Sequence, residues 1–78
     1  DTLKKVHESS FGESFHKALN KLDDKHKSVF SLRHFEGFSM KEIAETLNIN
    51  EGTVKSRLFY ATKTLASKLK EFNPIYNQ

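Results

Sequence analysis

Cysteine and tryptophan are absent from this 78-residue chain, which has one proline, one methionine and three glycines. Without cysteine there is no disulfide and no thiolate metal site, so a domain this small must hold together by helix packing alone. The absence also fits a reducing compartment, and a cytoplasmic location is the expectation. No apolar run approaches the roughly 18 residues of a membrane span, and no secretory signal is visible. Gly12, Gly37 and Gly52 stand too far apart to make a phosphate loop. Strand patterns, internal repeats and low-complexity segments are missing too. The chain opens on Asp1 rather than Met, and the expectation is a domain of a longer protein.

Catalytic groupings are equally scarce. Asp23 and Asp24 read as helix capping, not as a carboxylate dyad. His7, His16, His26 and His34 never form the i, i+4 pair of a helical metal site. His26 and His34 stand two turns apart, which at most puts them on one surface. No enzyme, metal or cofactor is expected.

Charge is present in both signs but unevenly placed. Residues 1–50 hold eight Lys+Arg and eight Asp+Glu, whereas residues 51–78 hold five Lys+Arg against Glu51 and Glu71. The whole formal charge of +3 therefore lies in the last 28 residues. A basic excess confined to one end points to a polyanionic partner met by that end.

The stretch SMKEIAETLNINEGTVKSRL, Ser39 to Leu58, carries the function. Ser39 and Glu42 make the S-x-x-E pattern of a capping box. Ile43, Ala44 and Leu47 then fall on one helical face. Asn48 suits the left-handed conformation that ends a helix, and Ile49 is expected to plug the turn. Asn50 can cap the next helix, with Glu51 near the positive end of its dipole. A short helix, a tight turn and a basic helix make a helix-turn-helix, whose second helix enters the major groove of DNA.

That second helix has two chemistries. Val54, Leu58, Ala61, Leu65 and Leu69 form an apolar stripe at steps of three and four. Gly52, Lys55, Ser56, Phe59 and Lys63 lie on the other side. From Thr53 to Lys70 every charged residue is basic, which suits a phosphate backbone. The exposed side of Phe59 could meet a thymine methyl. The alternative for Phe59 is packing on the first helix or a partner. Lys63 lies where such a helix climbs out of the groove and meets backbone.

Upstream, Ser10 and Glu13 form another S-x-x-E pattern, and Phe11, Phe15, Ala18, Leu19 and Leu22 keep helical spacing over about residues 11–21. Asp23 is expected to cap a second helix running to about Phe35, with Val29, Phe30 and Leu32 inward. Gly37 is expected to supply positive φ where that helix closes. The third helix is expected at Met40 to Leu47, and the fourth from Glu51 to about Phe72, where Asn73-Pro74 stops it. Phe11, Phe15, Phe30 and Phe38 are expected in the core. Phe11, Phe15 and Leu19, preceded by Leu3 and Val6, also make the first helix more apolar than a free surface helix needs, so part of it is expected to dock on a partner. The fold class expected is all-α: four helices around a three-helix, winged-helix-like helix-turn-helix core without strands. The domain is expected at 10–72, with 1–9 a linker or frayed terminus and 73–78 a tail.

With these residues placed, Leu22 to Leu65 resembles region four of bacterial sigma factors, the promoter-binding subunits of RNA polymerase, and most closely the extracytoplasmic-function group. The resemblance rests on Val29-Phe30 with Leu32-Arg33, Glu36-Gly37-Phe38-Ser39, Glu42-Ile43-Ala44 and Glu51-Gly52-Thr53-Val54-Lys55-Ser56-Arg57-Leu58. It implies a compact helical domain that reads the minus-35 element of double-stranded promoter DNA, directs RNA polymerase to initiate transcription, and binds the flap of the polymerase β subunit. In many members an anti-sigma protein sequesters the domain. It implies base or nearby phosphate contacts from Thr53, Lys55, Ser56 and Phe59, and backbone contacts from Arg33, Met40, Lys41, Asn50 and Gly52. Arg57 flanks the apolar stripe and could instead clamp Glu42 or Glu45. Three positions depart from the family pattern. Tyr60 and Thr62 stand where arginines are frequent, Asp23 where proline is common, and Asn48 in a usual glycine slot. The output domain of a response or quorum-type regulator shares the four-helix shape, but Ser56-Arg57-Leu58 favours the sigma reading. A protein-interaction module that touches no DNA is the third possibility.

Overall fold

Four α-helices follow one another in the computed structural model, which describes residues 10–72. They are α1 (Ser10–Asn20), α2 (Asp24–His34), α3 (Met40–Leu47) and α4 (Glu51–Phe72), and no strand occurs among the described residues. The expectations placed on Leu3, Val6, His7, the 1–9 linker, Asn73-Pro74 and the 73–78 tail fall outside the described residues.

Local chemistry accounts for most helix ends. Asp23 caps α2, accepting from the backbone N–H of His26 at 2.9 Å. After α2 the chain turns through Gly37 at φ +74°, where the N–H of Phe38 reaches back to the carbonyl of Leu32 at 2.9 Å. A side chain there would be strained, which is why glycine fits. Ser39 and Glu42 form the full capping box of α3: the Glu42 N–H donates to the Ser39 hydroxyl at 3.0 Å, and the Ser39 N–H donates to Glu42 Oε1 at 2.8 Å. One expectation fails at an end. Ser10 is already helical, so it does not stand in the capping position read from its S-x-x-E pattern.

Burial divides into two clusters. The first joins Ala18, Leu19 and Leu22 with Phe30, Ala61 and Leu65. The second joins Val29 with Ile43, Ala44, Val54 and Leu58. Val29 and Phe30 are neighbours on α2, about 100° apart around the helix axis, and each enters a different cluster. Helix α4 also serves both, Val54 and Leu58 in one and Ala61 and Leu65 in the other. It packs against each of the other three helices. Each fully buried Val, Leu or Ile is worth about 1.5–3 kcal/mol, so the stripe on α4 is the largest single source of cohesion available to a disulfide-free domain.

The aromatic expectations are met unevenly. Phe30 is buried, and Phe15 and Phe38 pack partly covered against the clusters. Phe11 is 49% exposed, against the core position expected for it. Leu19 is 8% exposed and lies inside the first cluster. It faces α4, so it is not a docking residue as its spacing had suggested.

Candidate nucleic-acid interface

The helix-turn-helix is α3, the turn Asn48–Asn50, and α4. Asn48 adopts φ +56° and ψ +48°, the left-handed geometry that only Gly and a few short polar residues take readily. Its N–H bonds to the Glu45 carbonyl at 3.4 Å, and the Ile49 N–H to that of Ala44 at 3.0 Å. This is the paired bonding of a Schellman ending. Ile49 packs against the second cluster and so fixes the angle at which α4 departs. Asn50 Oδ1 accepts the N–H of Thr53 at 2.7 Å. That N–H is therefore occupied, and a phosphate at this helix start would have to use other donors. Gly52 lies close under the cap: a Cβ there would sit 3.2 Å from Asn50 Oδ1.

On α4 the apolar and polar sides separate as the spacing predicts. Val54, Leu58, Ala61 and Leu65 are buried, while Gly52, Lys55, Ser56, Phe59 and Lys63 are exposed. Phe59 is 62% exposed and stands edge-on to the exposed Tyr60, with ring centroids 5.4 Å apart. It is not among the residues packed against either core cluster.

The other helices complete a groove against this face. Arg33 and His34 from the end of α2, Met40 from the start of α3, and Lys55, Leu58, Phe59, Thr62 and Lys63 from α4 line an open cavity of about 500 Å³. Five of the ten residues expected at DNA thus share one wall: Arg33, Met40, Lys55, Phe59 and Lys63. Three are cations, and among the described residues no carboxylate lines the groove. Arg33 is held in place, its Nη1 donating to the carbonyl of Phe38 at 2.9 Å. Lys41 and Asn50 lie apart from this groove, in a shallower hollow of about 400 Å³ at the turn that also includes Glu45 and Glu51. Gly52, Thr53 and Ser56 line neither, being on the first two turns of α4 between them. A further hollow of about 540 Å³, between α2 and α3, contains none of the ten.

Arg57 corrects an expectation. It is half-buried and lines a cavity with Asp24, Lys25, Ser28 and Leu47. Among the described residues it makes no ion pair with Glu42 or Glu45; those two carboxylates sit on α3, while Arg57 faces the first turn of α2. His26 also has a local role, its Nδ1 lying 2.6 Å from Asp23 Oδ1. Two carboxylates titrate low. Asp23 is lowered by the His26 backbone N–H and then by the His26 side chain, and Glu42 by the Ser39 backbone N–H and then its hydroxyl. Neither lies in the groove. Among the described residues no group of three or more His, Asp or Glu side chains could hold a metal ion. No helix among them is long and apolar enough to cross a membrane. Neither His34, in the groove, nor Phe35, 57% exposed, was among the residues expected at DNA or at a partner. His34 follows Arg33 directly, and that adjacency to a basic residue was the available signal.

Residues 12–65 match the family described as Sigma-70, region 4. The chain belongs to this family, in its extracytoplasmic-function group. The region-four match contains the helix-turn-helix, the groove and both core clusters as far as Leu65. Among similar proteins, the ECF RNA polymerase sigma factor SigL of Mycobacterium tuberculosis is 44% identical over 54 residues, covering 69% of this chain and 30% of that protein. The RNA polymerase sigma factor SigV of Bacillus subtilis is 41% identical over 54 residues, covering 69% of this chain and 32% of that protein. The ECF sigma factor SigW of the same organism is 39% identical over 51 residues, covering 65% and 27%. The chain thus spans about a third or less of the length of these relatives. Region-four membership sets it apart from the response and quorum-type regulators that share its outline.

Proposed function

We propose that this domain reads the minus-35 element of promoter DNA with α4 in the major groove, and so helps RNA polymerase to initiate transcription. The observation that carries this is the convergence of Arg33, Met40, Lys55, Phe59 and Lys63 on one groove beside the exposed face of a helix-turn-helix. Lys55, Ser56 and Phe59 are the base-reading positions. Arg33, Met40, Lys41, Asn50, Gly52 and Lys63 grip the backbone, and Thr53 adds its side chain at the helix start. Phosphate contacts position the domain, while contacts to base edges specify sequence. Residues 10–72 are the working unit. It carries out no reaction of its own and works in the cytoplasm, where the polymerase core is its partner through the β-subunit flap and an anti-sigma protein can hold it inactive. Phe11, with Phe15 beside it, is offered to such a protein partner.

With few basic contacts, the domain alone should bind weakly, far from the roughly 10⁻⁸ M or tighter of complete specific binders. Tethering to polymerase raises its effective concentration at the promoter. Titration of the chain against promoter and scrambled duplexes at several salt concentrations tests the proposal. Weak, salt-dependent binding with preference for the promoter supports it. Absence of any DNA binding would favour the protein-interaction reading, and tight binding at physiological salt would refute the need for tethering.

A further inference from the structure

We propose that His34 is a proton-dependent phosphate contact, giving the groove a fourth positive charge under mildly acidic conditions and so making DNA affinity depend on pH. The inference rests on the DNA-binding reading above and extends it to a residue outside the expected set.

His34 is exposed and lines the groove with Arg33, Met40, Lys55, Phe59 and Lys63. Its ring packs on Phe30, with centroids 4.5 Å apart, and Phe30 is fixed in the first core cluster. The imidazole is therefore oriented by its apolar contact. Among the described residues neither of its nitrogens has a hydrogen-bond partner. The other histidine of α2 differs: His26 is bound to the carboxylate of Asp23.

The charged groups that share the groove with His34 are Arg33 from its own helix and Lys55 and Lys63 from α4; α3 contributes the uncharged Met40, and nothing from α1 lines it. Among the described residues no carboxylate lines the groove to serve as a counter-ion. A DNA phosphate supplies one. An imidazole gains its charge as pH falls through about 6.5. The proton comes from solvent, so binding to DNA and proton uptake become linked and each strengthens the other.

The experiment titrates the chain against a promoter duplex at about pH 8 and about pH 5.8, either side of the imidazole range, over a series of salt concentrations. The variants are His34→Gln, His34→Arg and Lys55→Ala, each checked for helicity by circular dichroism. The wild-type chain should bind roughly three- to tenfold more tightly at the lower pH, as one exposed charge-assisted contact allows. Its salt slope should steepen by about one unit there. His34→Gln should lose both changes, and His34→Arg should bind tightly at both pH values. A full pH response retained in His34→Gln, or no gain at the higher pH in His34→Arg, overturns the inference. Binding that Lys55→Ala weakens but that ignores pH overturns this inference alone. A wild-type chain that binds no duplex at either pH overturns both it and the DNA-binding reading.

Discussion

Arg33 Nη1 donates to the carbonyl oxygen of Phe38 at 2.9 Å, joining the last turn of α2 to the residue that precedes the α3 cap. One guanidinium thereby closes a turn and lines the groove. It has five N–H donors, so the bond to Phe38 leaves others to face a phosphate.

Arg33→Ala should therefore lower stability and DNA affinity together. The stability loss should be about 0.5–1.5 kcal/mol, the net worth of one hydrogen bond. Arg33→Lys should keep most of the salt slope but not the geometry of the turn. Urea melts of both variants beside their DNA titrations check this; a stability loss without an affinity loss would confine Arg33 to the turn.

Acid should destabilise the domain through two caps. Asp23 and Glu42 both have carboxyl groups held below their ordinary values in the folded state. Their stabilisation is present above the unfolded values of about 3.9 and 4.3 and is lost as pH falls through the lower folded values. Asp23→Asn keeps a good cap while removing the titration, and Glu42→Gln can do the same. The double variant should show a shallower fall in melting temperature below about pH 4 than the wild-type chain. An equal fall in both would place the acid sensitivity elsewhere.

Asn48 holds positive φ in the helix-turn-helix turn. Asn48→Gly should be neutral or slightly stabilising, because glycine takes this conformation without strain. Asn48→Ala should cost about 1 kcal/mol, since a Cβ is disfavoured in the left-handed region. Denaturation midpoints of the two variants decide it, and equal midpoints would mean that the turn tolerates a different backbone path.

Lys55→Ala should cost about 1–3 kcal/mol on the best promoter and flatten the preference at one or two base pairs. Lys63→Ala should weaken all sequences alike and lower the salt slope by about one unit. Equal losses on promoter and scrambled duplexes for Lys55→Ala would make Lys55 a grip and leave Ser56 and Phe59 as the readers.

The bounds of α3 and the start of α4 were legible to the residue because short-range chemistry sets them. The Ser39–Glu42 box, left-handed Asn48 and the Asn50 cap each involve partners within three residues or so. The inward side of α4 was legible for the same reason, as periodicity is also local. What spacing could not reveal was the partner across a gap. Leu19 carries an apolar side chain whether its face meets α4 or a second protein. Arg57 has acids in reach of its length on two helices, and only their packing turns it toward α2. His34 joins the groove because α2 ends beside α4, a relation fixed by where Phe30 enters the core. The same dependence explains Phe35, which meets Phe15 of α1 from the end of α2 yet stays largely uncovered.

The alternation along α4 also separates evolvability from foldability. Positions 55, 56, 59 and 63 point outward between buried Val54, Leu58, Ala61 and Leu65, so the outward set can vary while the buried set stays fixed. If the proposed DNA-reading role holds, exchanging residues 55, 56 and 59 should change which bases are recognised while the buried side chains stay the same. Gly52 is the exception within the first turn, since any side chain there presses on the Asn50 cap. A library varied at the four outward positions should therefore stay folded almost throughout and spread its diversity over promoter preference, whereas one that also varies residue 52 should lose members to instability.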